Sequence, residues 1–186
     1  MRSPSNTLLF WPVLAVVALF DVATKAIAVQ ALLPQRVPHP LIGDVVRFTL
    51  VYNPGAAFGL HVGPQSRWIF TALTIVALVI LGRLYLATTR GDVPRVLALA
   101  LVCAGALGNL FDRLRSDLGV VDFIDVGFGD SRWPTFNVAD SAVTVGALVL
   151  AWSLSREERE TAAVKAAAER DATRPVDASG APGPRE

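Results

Sequence analysis

Four apolar stretches dominate this chain of 186 residues, each close to the roughly 20 residues that a helix needs to cross a bilayer. They run from about Leu8 to Val29, Trp68 to Ala87, Val93 to Phe111 and Phe136 to Leu154. None is uninterrupted: Asp21 and Lys25 break the first, Arg83 the end of the second and Asn109 the end of the third. Arg83 reads as a long side chain that snorkels to the interface. With helices alternating in direction, the other interruptions gather near one side of the membrane. The pattern predicts a mainly α membrane protein whose polar groups meet at one end of a four-helix unit.

Composition agrees with that setting, with 53% hydrophobic residues and a formal net charge of +1. The charge gives no reason to expect a nucleic-acid partner. A single cysteine, Cys103, excludes an internal disulfide and a cysteine-rich metal site; in Leu-Val-Cys-Ala-Gly it reads as a small buried apolar side chain. Arg2, the run Leu8–Phe20 and Ala26-Ile27-Ala28 raise the question of a removable signal peptide. Asp21 and Lys25, four residues apart, share a helix face and can pair, which a discarded peptide has little reason to carry. The first segment is therefore expected to stay. The distribution of Lys and Arg leans only weakly towards both termini lying inside.

Between the first two helices a Pro-rich stretch, Pro34 to Pro40, leads into a strand pattern over Val46–Asn53. There Val46, Phe48, Leu50 and Tyr52 alternate with Arg47, Thr49, Val51 and Asn53, and Asn53-Pro54-Gly55 marks a turn. Val120–Val126 is a second β-like run, with Val120, Asp122, Ile124 and Val126 on one face and Val121, Phe123 and Asp125 on the other. A small sheet on the outer membrane surface is expected. Beyond Ser155, Arg156–Asp171 reads as a frayed polar helix and Thr173–Glu186 as a disordered Pro/Gly-rich end. The expected organisation is a membrane domain over 1–155 and a polar tail over 156–186.

Charge inside such a chain is costly. An ionisable residue at membrane depth costs roughly 2.5–3.5 kcal/mol or more on insertion scales, and so marks a functional site by default. Asp122 lies in Gly-Val-Val-Asp-Phe-Ile, and Asp140 lies in Phe-Asn-Val-Ala-Asp at the opening of the fourth segment. Two carboxylates on either side of a short loop point to shared protons and acid/base chemistry. Asn109, Asp112 and Arg113 fall on one helical face, although Arg113 alone could simply mark the interface. Asn137 and Asp140 are three apart and can look into one cavity. Pro134 suits a helix start, which puts Asp140 near a positive helix end. Asp125, three residues from Asp122, is expected on the other face of its strand, towards solvent or the adjoining loop.

Five ordered motifs occur together: Asp21-x-x-Thr24-Lys25, Asn53-x-Gly55-Ala56-Ala57-Phe58, Gly108-Asn109-x-x-Asp112-Arg113, Val120-Val121-Asp122-Phe123-Ile124 and Phe136-Asn137-x-Ala139-Asp140. In this order they resemble the lipoprotein signal peptidases (signal peptidase II), intramembrane aspartic peptidases of bacteria, over about residues 8–154. The resemblance implies four membrane helices, a small extracytoplasmic β-sheet, cytoplasmic termini and an active site near the outer face of the cell membrane. It implies cleavage of diacylglyceryl-modified prolipoproteins immediately before the lipidated cysteine, with Asp122 and Asp140 as catalytic dyad. Asp21, Lys25, Asn53, Gly55, Asn109, Asp112, Arg113 and Asn137 would position substrate or support the site. Membrane lipids are expected around the protein, which is expected to act as a monomer without cofactor or metal.

The residue inventory weighs against other peptidase chemistries. His39 and His61 are the only histidines and form no H-E-x-x-H motif, and nothing places a serine beside Lys25. A small transporter or proton conductor relaying through Asp21, Lys25 and Asp140 is the main alternative. Four spans without internal symmetry are sparse for it, and Asn-x-Gly-Ala-Ala-Phe and the β-like segments have no role there. A membrane assembly factor with buried structural charge is a third reading.

Overall fold

The computed structural model describes residues 6–54, 63 and 65–172. The chain order is α1 (Asn6–Ala31), β1 (His39–Ile42), β2 (Val46–Asn53), α2 (Ser66–Ala87), α3 (Val93–Arg115), β3 (Val120–Phe128), β4 (Ser131–Arg132) and α4 (Val138–Ala172). All four helices are long and apolar enough to cross a membrane. The chain divides after Leu150 into two units, of which the first carries the sheet and the polar side chains that interrupt the helices.

The helices bury and expose side chains in the sense a lipid solvent demands. On α1 the buried set includes Asp21 and Lys25, 0% and 3% exposed, while Leu19 and Phe20 are 69% and 59% exposed. Nothing in hydrocarbon rewards burial of Leu over its exposure, whereas a charge must find partners inside the protein. On α2 only Ser66 and Thr71 are buried, and Leu73, Val76 and Ile80 face outwards. α3 is the central helix. Asp92 caps it, its side chain accepting the Arg95 N–H at 3.2 Å, with Pro94 in the first turn. Its Val96, Leu99, Ala100 and Cys103 form a core with Phe10 of α1. Phe10 in turn lies against Tyr85 of α2, with ring centroids 4.1 Å apart.

α4 meets α3 backbone to side chain. A Cβ added at Gly105 would collide with the Ala139 carbonyl oxygen and come within 2.8 Å of the Val143 side chain. One at Gly146 would lie 2.8 Å from the Ala98 carbonyl oxygen. Such close approach is how membrane helices gain dispersion contact where no hydrophobic driving force is available.

The four strands form one antiparallel sheet in the order β1-β2-β3-β4. Asn6 at the start of α1 donates to the carbonyls of Thr88 and Thr89 in the α2–α3 connection. The N-terminal end of α1 is thus beside that loop, and the sheet, built from the other two connections, belongs to the opposite helix ends. β2 and β3 pair through Phe48↔Ile124 and Val51↔Asp122 with a bulge between, so Thr49 and Leu50 together oppose Phe123. The bulge interrupts the alternation read from the sequence: consecutive Thr49 and Leu50 are both buried, Leu50 in a core with Ala28, Leu32, Val121 and Phe123. β1 and β4 were not legible as strands, being short and Pro-led or only two residues long.

The close α3–α4 approach carries a prediction. Gly105→Ala should cost about 1–3 kcal/mol of unfolding free energy by overpacking. Gly82→Ala, where an added Cβ meets nothing within 4 Å, should be neutral or gain up to about 1 kcal/mol from helix propensity. Thermal and chemical unfolding in detergent micelles measures both; equal effects would show that the α3–α4 contact is slack.

Candidate active site

The polar side chains that interrupt the helices converge on one point. The Lys25 Nζ lies 2.8 Å from Asp21 Oδ2 and 2.9 Å from Asp112 Oδ2, and donates to Asn109 Oδ1 at 2.9 Å. All four groups are buried. Three oxygens, two of them carboxylate, thus stand within 2.9 Å of the ammonium, which is how a buried cation avoids an uncompensated desolvation cost. The two carboxylates reach onward to backbone. Asp21 Oδ1 accepts the Ala139 N–H at 2.8 Å, and Asp112 Oδ2 accepts the Val121 N–H at 3.2 Å. Those two N–H groups belong to the residues immediately before Asp140 and Asp122.

Asp140 sits in the first turn of α4. Asn137 precedes the helix and forms a reciprocal cap with it: the Asn137 Oδ1 accepts the Asp140 N–H at 2.8 Å, and Asp140 Oδ2 accepts the Asn137 N–H at 3.1 Å. Asn109 donates to Asp140 Oδ1 at 2.8 Å. The Asp140 carboxylate thus accepts one side-chain and one backbone donor at the start of the helix. Asp122, on β3 and 2% exposed, accepts from Asn137 Nδ2 at 2.7 Å and from Asn53 Nδ2 at 3.1 Å. The Asn137 side chain, fully buried, therefore touches both carboxylate-bearing residues.

Asp122, Asp140, Asn53, Asn109 and Arg113 line one cavity of about 660 Å³. The rest of its wall is largely apolar, from Val120, the run Trp133–Phe136 and the α4 residues Val143–Val145. Burial raises the Asp122 carboxyl to about 7; the charge of Asp140 adds to the rise, and the Asn53 and Asn137 donors oppose it. Arg113 is within electrostatic reach of Asp140, Asp122 and Asp112. Among the described residues no group of His, Cys, Asp and Glu side chains could hold a metal ion.

Most residues singled out from sequence thus meet here: Asp21, Lys25, Asn53, Asn109, Asp112, Arg113, Asp122, Asn137 and Asp140. Gly55 lies outside the described residues, as does Thr173–Glu186 with its expected disorder. Of the two surroundings expected for Asp125, solvent or the adjoining loop, the first is ruled out. Asp125 is 5% exposed rather than turned to solvent, because Arg47, Arg132 and Thr49 surround its carboxylate. Burial alone would raise that carboxyl, but the hydrogen bonds from Arg132, Thr49 and Arg47 hold it below the usual carboxylate range. Sequence reasoning also missed the Trp133–Phe136 wall. The Trp-Pro pair just ahead of Phe-Asn-Val-Ala-Asp was the available signal, an interfacial aromatic locked to a helix start.

Comparison with known proteins follows the same outline. A family model described as signal peptidase (SPase) II matches residues 13–156. The lipoprotein signal peptidase of Pelotomaculum thermopropionicum is 42% identical over 144 residues, 76% of this chain and 88% of that one. That of Paraburkholderia phytofirmans is 44% identical over 137 residues, 73% of this chain and 77% of the relative. The fold matches the solved structure of a bacterial membrane enzyme with a TM-score of 0.76 at 30% identity, covering 85% of this chain and 94% of the other.

The ion pairs around Lys25 make a stability prediction. Lys25→Met leaves Asp21 and Asp112 buried without their cation, and breaking a buried pair costs about 3–5 kcal/mol. Unfolding free energy in micelles should drop by that order. An unchanged value would mean that the two carboxylates do not depend on Lys25.

Proposed function

Because this chain belongs to the signal peptidase II family of multi-pass membrane proteases, we propose that it removes signal peptides from prolipoproteins with Asp122 and Asp140 as its paired carboxylates. The observation that carries this reading is one cavity lined by both aspartates, from β3 and the first turn of α4, with Asn137 bonded to each. The cut falls immediately before the lipidated cysteine of a diacylglyceryl-modified precursor, whose acyl chains stay among membrane lipids beside the apolar flank of the cavity. The protein works as a monomer in the bacterial inner membrane, termini in the cytoplasm and cavity near the outer face. Chemistry belongs to residues 1–155, with 156–186 a cytoplasmic tail outside it.

The mechanism follows from the unequal settings of the two groups. Neighbouring carboxylates share one proton because both cannot ionise cheaply. Asp122, raised to about 7, is the member that holds it. Asp140, among donors from Asn109 and the Asn137 backbone, takes a proton from water as the oxygen attacks the scissile carbonyl carbon. Asp122 gives its proton to the carbonyl oxygen, forming a tetrahedral diol. On collapse the C–N bond breaks, Asp140 protonates the leaving cysteine amine and Asp122 recovers a proton from the diol. Asn53, Asn109 and Asn137 hold the carboxylates in register, and Arg113 balances their charge.

Purified protein in detergent, incubated with diacylated precursor, tests the assignment. Asp122→Asn and Asp140→Asn should each fold and lower the rate at least about a thousandfold, the upper range of acid/base catalysis. The unmodified precursor should be cut far more slowly than the diacylated one. A folded Asn variant cutting at a near-normal rate would refute the dyad.

The pH profile separates the two roles. The Asp122 proton is present below about 7 and lost above it, so kcat/KM should fall on the alkaline side of neutrality. Asn53 donates to the ionised form. Asn53→Ala therefore removes stabilisation of that form, raises the Asp122 carboxyl further and should move the alkaline limb to higher pH. A limb that stays in place, or moves down, would take the acid role from Asp122.

A further inference from the structure

Asp125 has no part in the proton transfers above, yet two arginines and a threonine converge on it. Oδ1 accepts Arg132 Nε at 2.8 Å, with Nη2 of the same guanidinium also 2.8 Å away. Oδ2 accepts Arg47 Nε and the Thr49 hydroxyl, each at 3.0 Å. Arg132 makes two further bonds, Nη1 to the Asp44 carbonyl at 2.6 Å and Nη2 to the Asp125 carbonyl at 3.1 Å. A forked guanidinium held this way has one orientation, unlike a single-point ammonium.

What Arg132 carries gives the pair its meaning. It ends β4, and the next four residues, Trp133 to Phe136, all line the cavity. The ends of that run are fastened to the residues flanking Asp125. The Trp133 N–H donates to the Val126 carbonyl at 2.8 Å and the Phe136 N–H to the Ile124 carbonyl at 3.0 Å. The Asp125 carboxylate, aimed at Arg132, completes the attachment from the side chain. Arg47 also binds Asp125 but lies on β2, away from the run.

We propose that the Asp125–Arg132 pair positions the Trp133–Phe136 wall and thereby sets how the apolar peptide segment beside the scissile bond is held. Both are positioning residues that determine specificity, acting on substrate binding rather than on proton transfer. The inference rests on the proteolytic reading of the cavity, but its physical core, an ion pair that completes the backbone attachment of the wall, can be read without activity.

The test uses the full-length protein with Cys103→Ala and Thr135→Cys, so that one thiol reports on the wall. Its labelling by a water-soluble maleimide should quicken about fivefold or more with Arg132→Gln or Asp125→Asn and change less than about twofold with Arg47→Gln. In the otherwise unaltered chain, Arg132→Gln should raise KM for the diacylated precursor about fivefold or more with kcat within about twofold, and Arg47→Gln should leave KM within about twofold. Arg132→Lys keeps the charge without the fork, should label at an intermediate rate, and serves if the glutamine variant does not fold. Unchanged labelling and KM in the Arg132 variants, or an equal rise with Arg47→Gln, would overturn the proposal, the second by showing a general loosening of the sheet. If the parent protein does not cut the precursor, the proteolytic reading falls, and the labelling rates alone decide whether the pair holds the wall.

Discussion

One buried ammonium organises the polar interior. Lys25 reaches Asp21, Asp112 and Asn109 at 2.8, 2.9 and 2.9 Å, and those groups reach on to two further elements, α4 and β3. Asp21 holds the Ala139 N–H of α4, Asp112 the Val121 N–H of β3, and Asn109 the Asp140 carboxylate itself. A cation with three donors and no acceptor can be satisfied inside an apolar protein only if three oxygens come to it. Meeting that demand draws α1, α3, β3 and α4 together. It also fixes the backbone one residue before each proposed catalytic aspartate, so the spacing of the carboxylates follows from the satisfaction of Lys25.

The packing around that centre has to let backbone come close. Ala139 lies against Gly105, where no Cβ would fit, and this brings the start of α4 onto α3 near Asn109. Bulky apolar residues do the opposite service. Leu19, Phe20, Leu73 and Val76 are turned outwards, where lipid receives them at no loss. Small residues thus line the α3–α4 contact and large apolar ones face outwards, while the ionisable groups gather at one end.

How far this could be read from the sequence depends on the range of the interaction. The helices and β2 were legible because period and length are local properties; Val46–Asn53 was read with the limits it has in the structure. Asp21 and Lys25 were legible as a pair because four residues on a helix make neighbours. That Asp112 completes their network was not, since it stands on another helix and only tertiary packing brings it within 2.9 Å of Lys25. Asn137 was legible as a companion of Asp140 three residues on, but its bond to Asp122 on β3 was not. The bulge at Thr49–Leu50 was hidden because both residues fit an alternating strand equally well in sequence. Gly55 and its neighbours lie outside the described residues, and their role rests on the motif alone.

Asp122 and Asp125 show what the strand itself contributes. They are the same residue type, three apart on β3 and both almost fully buried, so neither composition nor exposure separates them. Their partners do. Asp122 faces amide donors and a second carboxylate, and its carboxyl rises to about 7. Asp125 faces two guanidinium groups and a hydroxyl, and its carboxyl is held below the usual range. A group whose charge is cheap to remove suits proton transfer at neutral pH. A group whose charge is held by arginines suits construction, because removing that charge would break the ion pairs that fix it. The alternation of a β-strand, which sends odd and even side chains to opposite faces, assigns one carboxylate to each task within a single turn-free segment, and it does so without any difference in the residues' own chemistry.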